Sequence, residues 1–390
     1  MTRSFFFAIA VLICAAYSSG VCAIHEFPVG AKATADKPQS KVWYHDAAWW
    51  CILYDGVAGS YFYRLAGDYW EKGTFPDALV YPAAYTRADV LLSGLNLFVL
   101  EWEATSPLLY KYEYDGENRL YSLLSGFPVE LRVPVGHETM VIAQDSTGKL
   151  WVPFELDGKV KVIYSTSADH RVWNTEGVEI ADGLKDDDIA SIIAFHGQIG
   201  VFWSNQNTES LNFRIHRDGD TEEKWRETET VISGQLVADD HINLALSDDG
   251  RVFAVTKTSV DDAKEPAKGP TEAQFILNVR SPDGVWNFYD VSEVSSVFKT
   301  RPIVVLDEDN DDIYVFYRED KAIMLKRSPM ADICFDNQPL EILAVPGVTL
   351  NDVTSTKQNV TSETGLLIMA TGSDNKAYSH LIDIRSGIAP

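Results

Sequence analysis

The chain has 390 residues, 46% of them hydrophobic and 12% aromatic, which places it among folded proteins and outside the disordered class. It carries 33 basic against 57 acidic residues, a formal net charge of −24. A surface that acidic repels phosphate backbones and anionic headgroups, so neither nucleic acid nor membrane insertion is expected.

Arg3 is followed by the apolar run Phe5 to Ala16 and by small and polar residues ending in Val21-Cys22-Ala23. A basic start, a short apolar core and a small-x-small exit form the pattern of a secretory signal peptide, 1–23, cut after Ala23. About a dozen apolar residues are too few to span a bilayer, and bulky Val21 ahead of Cys22 argues against a lipoprotein. The expectation is a secreted or extracellular protein, periplasmic in a Gram-negative source, with residues 24–390 as one domain. Of the four cysteines only Cys51 and Cys334 remain after 1–23, so this is no disulfide scaffold. Both are read as buried thiols.

From residue 39 onward, short runs rich in Val, Ile, Tyr, Phe and Trp alternate with Gly, Asp, Asn and Ser turns, the pattern of strands and hairpins. In register they form a unit of roughly fifty residues. Each unit opens with a polar step into an apolar run: "QSKVWY" (39–44), "TRADVLL" (86–92), "HETMVIA" (137–143), "DDIASIIA" (187–194), "DDHINLAL" (239–246), "TRPIVVL" (300–306) and "NDVTSTK" (351–357). Second and third strands follow, and the third turns into an aromatic at Trp70, Tyr121, Trp173, Trp225, Trp286 or Phe335. The polar, Pro-bearing stretch 260–273 is a loop grown on a constant unit.

Seven such units predict an all-β fold, a seven-bladed β-propeller with four-stranded antiparallel blades. A pair of β-sandwiches would not give equal steps, and a β-helix repeats at about half this length per coil. The seventh unit ends after "KAYSHLIDI" (376–384) without a fourth strand, so "IHEFPVGAK" (24–32) is predicted to supply it and close the ring.

The turns "STSADHRVW" and "RSPDGVW" resemble shortened forms of the Asp-box turn of sialidase-like propellers, Ser-x-Asp-x-Gly-x-Thr-Trp. Ser167, Asp169 and Trp173 match in one, and Ser281, Asp283, Gly284 and Trp286 in the other. "SKVWYHDAAWW", "TRADVL", "ADDHINLALSDDGRVFAVTKTS", "TRPIVVLDEDNDDIYVF" and "SPMADICF" are similar to signature segments of a family of secreted β-propellers. That resemblance, over nearly the whole chain after 1–23, implies the fold and export but no particular reaction.

The first strand of every blade lines the central channel, so the seven openings bring polar groups to one mouth. They are Lys41, Arg87 and Asp89, His137 and Glu138, Asp187 and Asp188, Asp239 to His241, Arg301, and Asp352. Such a ring on rigid strands is where ligands bind; the plainer reading is that a wet tunnel needs polar strand ends. His241 beside two carboxylates reads as a general base, a metal ligand, or a strut between blades. Strand alternation predicts Asp239 on the face of His241 and Asp240 on the other. Arg87 and Arg301 could grip a carboxylate. A third arginine for sialidase chemistry is missing, whereas a polysaccharide lyase could pair His241 as base with Arg301.

"DEDNDD" (307–312) has alternating aspartates but lacks the glycine and the final glutamate of a calcium loop. It is read as an acidic hairpin, and no cofactor is expected, with Ca2+ the alternative. Trp43, Trp49, Trp50 and Trp203 either stack on sugars or fill the wedges between blades. Asn359-Val360-Thr361 is a glycosylation sequon in a eukaryotic source. No phosphate loop, nucleophile elbow or CxxC pair is present. The expected function is binding of an extracellular glycan or small ligand at the channel mouth by a monomer. A lyase or glycosidase using His241 and Arg301, and a protein-interaction scaffold, are the alternatives.

Overall fold

The structure, a computed structural model, describes residues 24–82, 87–102, 106–134, 138–262 and 270–385. Residues 1–23, His137 and part of the 260–273 loop lie outside the described residues.

The chain forms seven antiparallel sheets, each built from four consecutive strands in sequence order, except the last. In the first blade the order is Val42–His45, Ala48–Tyr54, Ser60–Ala66 and Tyr69–Lys72. Short added strands, Leu79–Tyr81 here and Val129–Glu130 in the second blade, pair with the third strand of their blade. The second strands of the first, fifth and seventh blades are buried at every residue, and that of the sixth at all but its last two. Sheets covered on both faces select such continuous apolar runs over alternation.

The core is a ring of wedges rather than one mass. Successive apolar clusters join the first blade to the second, the second to the third, and so on round the axis. One larger cluster joins the sixth, seventh and first blades. Trp43, Trp49, Trp50 and Trp203 all sit in these wedges, no more than 3% exposed. They are packing residues, and the sugar-stacking alternative fails for them because their faces are covered.

The last blade contains Leu350–Thr354, Leu366–Gly372 and Lys376–Ile382, and its outermost strand is Ile24–Pro28. Ile24 pairs with His380 and Pro28 with Lys376, antiparallel. The closing strand also grips the first blade: Phe27 lies 5.0 Å from the Tyr63 ring and 5.6 Å from Trp70. Ring closure through the N-terminal strand is as the incomplete seventh unit required, because an open blade would leave an unpaired edge.

Two expectations are corrected. "HETMVIA" yields only a two-residue inner strand, Ala143–Gln144. The backbone ahead of it is satisfied elsewhere: Ile142 N–H donates to Asp89 at 2.8 Å, and Ile142 C=O accepts from Lys357 at 3.1 Å. Side chains of two other blades do the work of a ladder. Cys51 is buried but Cys334 is exposed, because it follows the third strand of its blade in a surface turn. The acidic stretch 307–312 is the hairpin turn between Lys299–Asp307 and Asp312–Glu319. Asp307 there binds Asn310 N–H at 3.2 Å and its side-chain amide at 2.7 Å.

Candidate functional site

Every blade begins its inner strand on one face of the ring, the entry face, and turns into its second strand on the opposite face. The segment that follows the closing strand must travel from the ring's outside to its axis, across the entry face. It does so in close contact. Gly30 N–H bonds to Tyr54 C=O at 2.8 Å, and a Cβ on Gly30 would meet the Tyr54 ring at 1.9 Å, so only glycine fits. Thr34 and Thr371 then exchange hydrogen bonds, Thr34 N–H to Thr371 Oγ1 at 2.9 Å and Thr371 N–H to Thr34 Oγ1 at 3.0 Å.

That path delivers Asp36 and Lys37 to the centre of the mouth. Asp36 meets Arg301 Nη1 at 2.8 Å and Arg87 Nη2 at 3.7 Å. Lys37 Nζ bonds to both Glu138 and Asp240. Burial opposes the charge on Asp36, but Arg301, Lys37 and Arg87 outweigh it and hold its carboxyl below the usual range. Burial likewise opposes the Lys37 charge, and Asp240 and Glu138 outweigh it, raising its pKa. Of the polar openings, Arg87, Glu138, Asp240 and Arg301 meet here, around the chain's own dipeptide.

Arg301 and Asp352 reach the mouth through a shared backbone device. Each has positive φ, 59° and 53°, uncommon outside glycine. Each lies where the pairing register shifts, between Thr300 and Ile303 and between Asn351 and Thr354. Such bulges re-aim a side chain, and here they bring Arg301 Nε within 2.8 Å of Asp352. Burial weakens the Arg301 charge, but Asp352 and Asp36 more than restore it. Burial holds the Asp352 carboxyl above its ordinary value.

His241 is 8% exposed. Its Nδ1 faces Asp239 at 2.7 Å and Asp240 at 2.5 Å, and its Nε2 faces Thr300 Oγ1 of the next blade at 3.1 Å. Burial would lower its pKa, but hydrogen bonds to the two aspartates override that and raise it. In the charged form both ring nitrogens donate, so the ring has no lone pair with which to take a proton from a ligand. Asp239 is held in turn by Lys257 at 2.8 Å. Both aspartates reach Nδ1, which corrects the expectation that Asp240 faces away: the ladder starts only at Ile242, and alternation does not apply in the bend before it.

The other predicted residues are spread in depth. Asp89 is fully buried and ties Ser40 N–H at 2.9 Å, Ile142 N–H at 2.8 Å and Lys357 at 2.5 Å, linking four blades. Lys41 is buried against Ala88 C=O at 2.9 Å, and desolvation brings its pKa down to about 8. Asp188 closes the turn before its strand, accepting from Lys185 N–H at 2.8 Å and Gln206 N–H at 3.0 Å. Glu138 and Asp240, with Asp187, bring three carboxylates from three successive blades within 4.8 Å of one another.

Around Asp36 and Lys37 lies a depression of about 270 Å³ that contains His241, Arg301, Glu138 and Asp240. It also contains three residues the sequence reading missed: Phe298, Arg318 and Asn351. Phe298 is 55% exposed, with the Arg318 guanidinium 5.2 Å from its ring centre. Arg318 Nη1 donates to Asn351 Oδ1 at 3.2 Å and makes no ion pair among the described residues. Nothing in the spacing marks Phe298 or Arg318, which come from a link and a second strand, whereas Asn351 heads the seventh opening, next to Asp352.

No family model and no curated protein matches the chain. Among solved structures it is similar to the SapL1 lectin in complex with alpha methyl fucoside, at 12% identity and TM-score 0.48 over 82% of this chain and 98% of that one. It is similar to the polysaccharide lyase Uly1, at 8% identity and TM-score 0.48 over 88% and 90%. It is similar to a sialidase of Trypanosoma rangeli, at 12% identity and TM-score 0.46 over 73% of this chain and 52% of that one. The propeller itself rests on the strand pairing above, and these distant likenesses assign no role to any residue of the mouth.

Proposed function

We propose that the protein is an exported β-propeller that binds a glycan in the entry-face depression. The observation that supports this most directly is Phe298, an exposed ring on a rim of donors and acceptors that includes Arg318, Asn351, Glu138 and Asp240. A sugar presents an apolar C–H face and a set of hydroxyls, and a ring bordered by fixed polar groups complements both. Arg318, without an ion pair among the described residues, is the cation best placed to donate to a hydroxyl. The enzymatic alternative needs His241 and Arg301 to be available, and both are engaged within the protein.

The test is a glycan array probed with the wild-type chain lacking residues 1–23, then with Phe298→Ala and Arg318→Ala. A bound glycan whose affinity drops about tenfold or more in each variant, with unchanged melting temperature, supports the reading. Binding that both substitutions leave intact defeats it, and release of unsaturated uronate from any array hit would favour the lyase.

A further inference from the structure

The segment that fills the entry mouth has a second surface. Behind Asp36 and Lys37, Pro38, Gln39 and Ser40 form one end of a cavity of about 450 Å³ along the propeller axis. Gln39 is fixed there, its amide donating to Met140 C=O at 3.0 Å and accepting from Asp36 N–H at 3.2 Å. Pro38 to Ser40 line the cavity's entry-face end, and His196 and Asp248 stand exposed at the opposite end. Its volume lies within the range of pockets that enclose a small molecule, roughly 300–1,000 Å³.

The walls are apolar. Leu91, Ile193, Leu244 and Leu246 line the cavity and are only half-buried, each packed on one side against a wedge core. Among the described residues no Phe, Tyr or Trp lines it, which sets it apart from the surface around Phe298 at the other mouth. The lining lysine, Lys357, is already used: it pairs with Asp89 at 2.5 Å and donates to Ile142 C=O at 3.1 Å. Asn359 turns its amide inward, to Leu246 C=O and Glu308, both at 2.9 Å; the sequon's acceptor nitrogen is thus engaged at the wall. Just behind the rim residues Asp248 and Asn359, Glu308 accepts from Asp248 N–H at 2.9 Å. Neither Asp248 nor Glu308 has an ion-pair partner among the described residues, and Arg251 nearby is held by Asp249 at 2.8 Å.

We propose that this axial cavity is a second binding site, for a small cationic amphiphile such as an alkylamine or arylamine. Its apolar body lies against Leu91, Ile193, Leu244 and Leu246, and its ammonium group meets Asp248 and Glu308 at the rim. Apolar walls retain the body through the area removed from water. The two unneutralised carboxylates, on a chain of net charge −24, select against an anionic head. The site is independent of the entry-face depression, since Pro38 to Ser40 separate the two, and it stands whether or not a glycan binds there.

The experiment is calorimetric titration of the chain lacking residues 1–23 with octylamine, octanol and octanoate, all below their micellar concentrations. Octylamine is expected to bind saturably at one site, threefold to tenfold tighter than octanol, with octanoate the weakest. Ala194→Trp, which fills the lumen, and Leu244→Ser, which makes its wall polar, should each weaken octylamine at least tenfold. Asp248→Asn with Glu308→Gln should bring octylamine down to octanol without changing octanol. Melting temperatures of the variants alone identify any that is misfolded, and the two lumen changes alter volume in opposite senses. Multisite binding of octylamine, insensitivity to both lumen substitutions, or octanoate as tight as octylamine would overturn the proposal.

Discussion

The two ends of the axial channel are made by the same seven inner strands and have opposite chemistry. At the entry mouth, Asp36 and Lys37 satisfy arginines and carboxylates contributed by several blades. At the opposite mouth, half-buried leucines and an isoleucine surround about 450 Å³ of space. The difference originates in the closing segment: it crosses only one face, so one mouth is filled by the chain itself and the other is left open. Charges at the filled mouth hold the fold together, whereas charges at the open mouth are free to meet a ligand.

Removing the source of that difference should have the largest effect. Deletion of residues 24–37 takes away the closing strand together with Asp36 and Lys37, exposing a sheet edge and an unpaired set of buried charges. Thermal melts should show a loss of cooperativity or a fall in Tm well beyond 10 °C, about what a loss of several kcal/mol produces in a domain this large. A Tm unchanged by the deletion would show that the ring is closed by other means.

Next comes the charge pairing alone. Asp36→Ala leaves Arg87, Arg301 and Asp352 in place without their central carboxylate, and breaking such a partly buried network costs on the order of 2–4 kcal/mol. Chemical denaturation would read this as a lower midpoint with unchanged slope. Arg301→Ala should follow it closely. From the sequence Arg301 is a grip for a ligand's carboxylate or the partner of a lyase base; its pairs to Asp36 and Asp352 predict a measurable loss of stability as well.

The pH dependence sharpens the same contrast. His241 has a raised pKa in the folded state, so its contribution is fully present below about 6.5, the unfolded value, and is lost as pH rises through the folded pKa. Glu155 acts in the same direction. Burial pushes its pKa from 4.5 to about 8, and among the described residues its Oε2 has no hydrogen-bond partner. Its contribution is lost between pH 4.5 and about 8. Stability should therefore decline across this range, by at most about 1.4 kcal/mol per pH unit for each group. Glu155→Gln should flatten the lower part and His241→Gln the upper part; a pH profile identical to wild type for both would contradict the assignment.

The smallest effect is expected at the open rim. Asp248→Asn should change stability by less than about 0.5 kcal/mol, because the side chain is exposed and without an ion pair. A larger loss would mean that the open mouth, too, is built on its charges.

The sequence by itself determined the repeat, the number of blades and the way the ring closes. These depend on local regularities, apolar runs of strand length and turns about fifty residues apart, and on a last unit visibly one strand short. It also pointed to the inner-strand openings as the source of polar groups near the entry mouth, since every opening presents them at the same point of the unit. The tertiary structure alone decided which of them are available. Lys41 and Asp89 differ little in sequence context from Arg87 and Glu138, yet the first two are sealed beneath the mouth and the others remain partly open. Asp36 and Lys37 belong to no repeat, and only the path of the closing segment across the ring brings them to the axis. Phe298 and Arg318 meet through the packing of a link against a second strand, and the axial cavity exists because one segment ends it. Contacts between residues hundreds of positions apart leave no periodic trace in a chain, so pattern can announce the blades but not what fills the space between them.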